Sequence, residues 1–183
     1  MAEICIYIPL EPYLRDWFIN LHGGNYPVRL MRGCAESDVL AKALMRQPEG
    51  EPIPKPEEGD VAIVIPQFRH RDPVYFNYLP KHGKLALLQV IRHNFDFDMW
   101  NDLHRFGYIG SRRDHLIYNF METRGIALTE ANWNAIAKRY QRKRDIYLAN
   151  LRSAKAKRKK KTKNNTVFRL KKSATTRLPL LPL

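Results

Sequence analysis

Seven of the nine residues from Lys155 to Lys163 are cationic. No core can hold such a run, because a charge taken out of water without a partner is strongly destabilising. Whatever this chain folds into must therefore be built from the residues before it. The charge accounting draws the same line. Residues 129–183 hold 17 Lys/Arg and 2 Asp/Glu, a net of +15, whereas residues 1–128 hold 15 and 16, a net of −1. The whole-chain charge of +14 thus comes entirely from the last 55 residues. A neutral body with a cationic end points to a polyanionic partner for that end.

Within the body the patterning changes once. "EICIYIPL" alternates and is β-branched, so residues 3–9 read as a strand. Pro12 suits a first helical turn. Tyr13, Leu14, Trp17, Phe18 and Leu21 then recur at helical spacing until "HGGN" stops the helix. "YPVRLMR" at 26–32 reads as a second strand, and Gly33 and Ser37 lead into a short helix over "DVLAKALM". Four prolines and five acids in residues 47–60 mark a flexible loop. "VAIVIPQF" at 61–68 reads as the central strand of a small sheet, and the aromatic "PVYFNYLP" as a packing connector.

Beyond residue 80 the period becomes helical. Helices are expected over 83–95, 97–106 and 111–125, with Ser111 as N-cap, Gly125 as the C-terminal stop and Asp96 as the N-cap at the first junction. A last helix starts after Thr129, its N-cap, and runs to about residue 155. The expected fold is α+β. Residues 1–80 form a small sheet with helices, and 81–153 a three-helix or helix-turn-helix-like bundle. Residues 154–183 form a disordered basic tail, too poor in apolar residues to pack. The link "TRGIALT" is too long for a strict helix-turn-helix, which leaves a looser bundle of 97–106, 112–123 and 130–150.

The last helix carries the candidate interface. Trp133, Ile136, Ala137, Tyr140, Tyr147 and Leu151 fall on one stripe, expected to dock on the body, and Arg144 falls among them. Lys138, Arg139 and Arg142 are read as the opposite, cationic side. Asn132 and Asn134 lie near the helix N-terminus, where recognition helices meet base edges and where Asn can contact adenine, and Asn134 is the candidate base contact. Lys155, Lys157, Arg158, Lys159, Lys160, Lys161 and Lys163 extend the surface as phosphate contacts without sequence information.

A second short feature is "RLPLLPL" at 177–183, an apolar peptide beyond a polar tail that suits docking into a partner's groove. Leu181, Pro182 and Leu183 match the Leu-Pro-Leu ending of the hexapeptides that bind the bacterial sliding clamp, and the segment resembles them over six residues. Leu178 stands where those peptides carry Gln. What the resemblance implies is a protein partner for this end.

Other chemistries find little support. Six scattered histidines and two cysteines, Cys5 and Cys34, give neither a zinc pattern nor a disulfide framework, and a reducing compartment is expected. Asp96, Asp98, Asp102 and Asp114 could hold a divalent cation for phosphodiester cleavage, and Tyr140 or Tyr147 could act as a recombinase nucleophile. Capping and core packing account for the same residues more simply. No phosphate-binding loop or nucleophile elbow is present. No cofactor or metal is expected. Glu3, Pro9, Glu11 and Pro12 interrupt a secretory signal, and no apolar run approaches the ~20 residues of a spanning helix.

The sequence therefore reads as a non-enzymatic, cytoplasmic nucleic-acid-binding protein, with duplex DNA favoured over RNA and no membrane partner. The location would be the nucleoid in a bacterium and the nucleus in a eukaryote, and homo-oligomerisation stays open. Size and composition suit a bacterial, phage or mobile-element factor. The rival class is an assembly or ribosome-associated protein whose aromatic body (Trp17, Phe18, Tyr75, Phe76, Tyr78) meets a protein partner while the tail only localises it.

Overall fold

A computed structural model describes residues 3–51, 55–69, 71–106 and 112–175, with 105–106 and 159–175 described by their backbone alone. The fold is α+β. Strand β1 (Cys5–Pro9) leads into helix α1 (Pro12–Leu21), strand β2 (Val28–Arg29), helix α2 (Ala35–Ala43) and strand β3 (Asp60–Val64). Helices α3 (Lys81–Phe106), α4 (Arg113–Thr123) and α5 (Glu130–Thr175) follow. By its contacts the chain divides into two units, Met1–Tyr140 and Gln141–Leu183.

The sheet has the order β1-β3-β2, with β1 antiparallel and β2 parallel to β3. The central place of β3 follows from its sequence, since Val61, Ala62 and Ile63 are all buried and a strand covered on both faces cannot alternate. The second strand is shorter than its sequence pattern, pairing only through Val28 and Arg29. Helix α1 ends in a glycine cap. The Gly24 N–H donates to the Ile19 carbonyl at 2.9 Å and the Gly23 N–H to Asn20 at 3.0 Å, with Gly23 at φ +93°. Helix α2 begins earlier than expected. Cys34 is its cap, its Sγ accepting the Ser37 N–H at 3.4 Å, so Ser37 lies inside the helix. At the other end of α2, Arg71 donates to the carbonyls of Ala41 and Leu44 at 2.6 and 2.9 Å. Residues 47–51 and 55–59 form neither helix nor strand.

One correction reorganises the centre. The two helices expected at 83–95 and 97–106 are a single helix, α3. No Gly or Pro stands between residues 95 and 97, and the buried residues Leu87, Ile91, Phe95, Met99 and Leu103 stay in phase through the expected junction. Asp96 is consequently mid-helix and caps nothing. Phe95 becomes the hub of the core, meeting Tyr13, Trp17 and Phe120 edge-on with ring centroids 5.2, 5.4 and 5.9 Å apart. Trp17 and Phe18, read from the sequence as candidate partner-facing aromatics, are core residues, whereas Tyr75 is exposed.

Helix α4 starts at Arg113, with Arg112 at the cap position making no side-chain cap bond among the described residues, and Ser111, the expected cap, lies outside them. Gly125, at φ +64°, closes it as expected, with the Ile126 N–H reaching Met121 at 2.8 Å. Thr129 caps α5 as expected, its Oγ1 accepting the Asn132 N–H at 3.2 Å. The α5 backbone runs on to Thr175, past residue 154 where the sequence places a disordered tail. No Gly or Pro interrupts residues 130–175, and Ala, Lys and Arg favour helix. Among the described residues, no helix is long and apolar enough to cross a membrane.

Candidate nucleic-acid interface

The first three turns of α5 are held by packing. Ile136 and Tyr140 are buried and Trp133 and Ala137 half-buried against the core. Tyr140 lies 5.9 Å from the Trp100 ring, so core packing accounts for it. Farther along the expected stripe, Tyr147 is half-buried and Leu151 is exposed.

The candidate interface residues separate into distinct environments. Lys138 and Arg142, one turn apart on α5, are exposed, as are Arg144, Arg152, Lys155, Lys157 and Arg158. Asn134 is half-buried. Lys159, Lys160, Lys161 and Lys163 lie on the helical backbone of α5, with their side chains outside the described residues. Leu181, Pro182 and Leu183 also lie outside the described residues.

Two polar residues of this helix, Asn132 and the expected contact Arg139, are occupied in the fold. Asn132 is buried, and its Nδ2 donates to the Ala127 carbonyl at 3.0 Å, tying the helix start to the preceding turn. Arg139 forms an ion pair with Asp96 through Nε, donates from Nη1 to the Tyr13 hydroxyl at 3.1 Å, and lies over the Phe95 ring at 5.8 Å. Burial pulls its pKa down, but the hydrogen bond to Asp96 and the neighbouring Tyr13 and Asp96 outweigh this and hold it above the ordinary value. The physical reason is its place on the helix. Arg139 follows buried Ile136 by three residues, so it borders the packed stripe, while Lys138 and Arg142 lie opposite it.

A second ion pair was not legible in the sequence. Arg124, just past α4, donates from Nε and Nη2 to the two Asp98 oxygens, both at 2.7 Å, and Trp17 Nε1 adds a bond to the same carboxylate at 2.9 Å. The bidentate bond from Asp98 raises the guanidinium pKa, and Asp102 adds to it. The available signal was the four-residue spacing of Asp98 and Asp102 on one helical face. Asp96 and Asp98 each pair with an arginine, and among the described residues there is no group of three or more His, Cys, Asp and Glu that could hold a metal ion.

The boundary between the two units also divides the charge. Met1–Tyr140 holds 17 Lys/Arg and 17 Asp/Glu, while Gln141–Leu183 holds 15 Lys/Arg and one acid, Asp145. The first unit has no formal net charge, and the second carries all of it. No protein-family model, curated protein or solved structure matches this chain.

Proposed function

We propose that this protein binds nucleic acid without transforming it, favouring duplex DNA, through the cationic part of α5. The observation that carries the reading is the confinement of the whole +14 charge to Gln141–Leu183, beside a body of zero net charge. Along Lys155–Lys163 the seven cations fall at roughly one per 1.9 Å of helix, close to the ~1.7 Å axial charge spacing of duplex DNA. Lys138, Arg142, Lys155, Lys157, Arg158, Lys159, Lys160, Lys161 and Lys163 take phosphates, while Arg139 is left to the fold. Binding of this kind releases condensed counterions, so it is steep in salt and indifferent to sequence. Asn134, on the early part of the helix, is the candidate for a base contact.

The test is a truncation after Ser153, compared with the full chain on one duplex across a salt series. Five phosphate contacts give a slope of about −4.5 in log K against log salt. The full chain should show at least that, and the truncated chain a much shallower slope with weaker binding. A full chain that fails to bind duplex at low salt refutes the reading. Tighter binding to structured RNA of equal length at matched ionic strength moves the partner from DNA to RNA.

A further inference from the structure

The body has an open cleft of about 540 Å³, between α1, α3 and the turn after α4. Its size falls in the usual range for small-ligand sites, about 300–1,000 Å³. Asp98 and Arg124, locked to each other at 2.7 Å, form part of its lining. Asp102, one turn further along α3, acts on the same guanidinium. Arg124 is thus matched by two carboxylates, and a phosphate entering here meets no net positive charge.

The remaining groups are of another kind. The amides of Asn20 and Asn94 line the cleft. Asn94 Nδ2 gives one of its two hydrogens to buried Glu36 at 2.8 Å, and an amide carries a second N–H and an accepting oxygen besides. Phe97 also lines the cleft and is 62% exposed, although it stands in the same helix as the fully buried Phe95 and Met99. An exposed aromatic face beside two amides suits a neutral planar ligand that both donates and accepts hydrogen bonds. A nucleobase has that chemistry, through its stacking face and its polar edge.

We infer that this cleft takes an unpaired base of a single-stranded nucleic acid, stacked on Phe97 and hydrogen-bonded through Asn20 and Asn94. The inference rests on the nucleic-acid reading above and extends it from the duplex to single-stranded segments. Phosphates go to the cationic helix, and the body takes a base. The base must be unpaired, because within a duplex its faces are stacked and its pairing edge is closed.

The experiment uses the full chain and two single strands of equal length, one bearing bases and one abasic throughout. Wild type should prefer the base-bearing strand. Phe97→Ala should reduce that preference by about 5- to 150-fold, the range for losing one base–aromatic stack, and leave abasic-strand affinity unchanged. Phe97→Leu keeps apolar bulk and should lose the preference too, since it has no ring to stack. Equal, salt-dependent affinity of wild type for both strands overturns the cleft while leaving the phosphate grip intact. An unchanged preference in Phe97→Ala overturns it as well. Failure of both strands to bind at low salt overturns the nucleic-acid reading, and this one with it.

Discussion

Lys138 and Arg139 are adjacent, equal in charge and on one helix, yet the structure puts them to different work. Arg139→Ala removes a guanidinium whose side chain is 27% exposed from a carboxylate that is 30% exposed. A fully exposed pair would contribute ~0–1 kcal/mol. A charged hydrogen bond in the interior contributes ~1.5–3 kcal/mol, and breaking a fully buried pair costs ~3–5 kcal/mol. The Arg139–Asp96 pair lies between these limits, so its coupling energy should be about 1–2 kcal/mol. Arg139→Ala also loses the bond to Tyr13 and the contact over Phe95, which brings its total cost to about 2–3 kcal/mol. Urea unfolding of wild type, Arg139→Ala, Asp96→Ala and the double variant yields the coupling directly.

Lys138→Ala is the control, expected to change stability by less than about 0.5 kcal/mol because the residue is exposed. Paired with Arg142→Ala, it should instead reduce the duplex salt slope by about 1.8, two phosphates' worth. If Arg139→Ala is no more destabilising than Lys138→Ala, or the coupling is below about 0.3 kcal/mol, the reasoning fails. Arg139 then returns to the binding surface.

His22 should make stability depend on pH. Both its ring nitrogens are buried and have no hydrogen-bond partner among the described residues, and burial lowers its pKa against the opposing pull of Glu36. The unfolded chain takes up this proton near pH 6.5 and the folded chain only below it, so the His22 contribution is complete above about pH 6.5 and is lost as pH falls. The loss is at most about 1.4 kcal/mol per pH unit. Urea midpoints at about pH 7.5 and 5.5 should differ less in His22→Phe than in wild type, and equal differences would refute the assignment. Gly125→Ala should cost about 1–2 kcal/mol for the left-handed backbone alone. Its Cβ would also come within 2.5 Å of Asn20 Nδ2, so an unchanged thermal midpoint would contradict the geometry.

Much of the fold was legible because it depends on local chemistry. The alternation in β1, the two-sided apolar run in β3, the glycines after α1 and α4 and the threonine before α5 each have a short-range cause. The errors arose where a local rule met a longer pattern. Asp96 has the chemistry of a cap, but the buried stripe from Leu87 to Leu103 stays in phase across it, and packing over five turns outweighs one capping side chain. Low apolar content beyond residue 154 is not such a conflict, since it bears on packing, whereas the α5 backbone there follows helix propensity.

The charge asymmetry behind the candidate interface was legible for a different reason. Net charge is a sum over sequence, and it survives ignorance of the fold. Pairing does not, because Asp96 and Arg139 lie 43 residues apart and a count of signs cannot join them. Splitting the chain at residue 129 puts Asp96 in the body and Arg139 in the cationic end, so one ion pair is counted on both sides of the line. Splitting it at Tyr140, where the contacts divide the chain, returns Arg139 to its partner and leaves the body neutral. The second boundary places Arg139 with its partner Asp96 and confines the whole net charge to one unit. A body of zero net charge neither attracts a polyanion nor repels it at long range, so under the proposed reading encounter would be governed by Gln141–Leu183. What the body adds must act at contact distance, and that is the regime of a half-buried asparagine or a cleft lined by amides and one exposed ring.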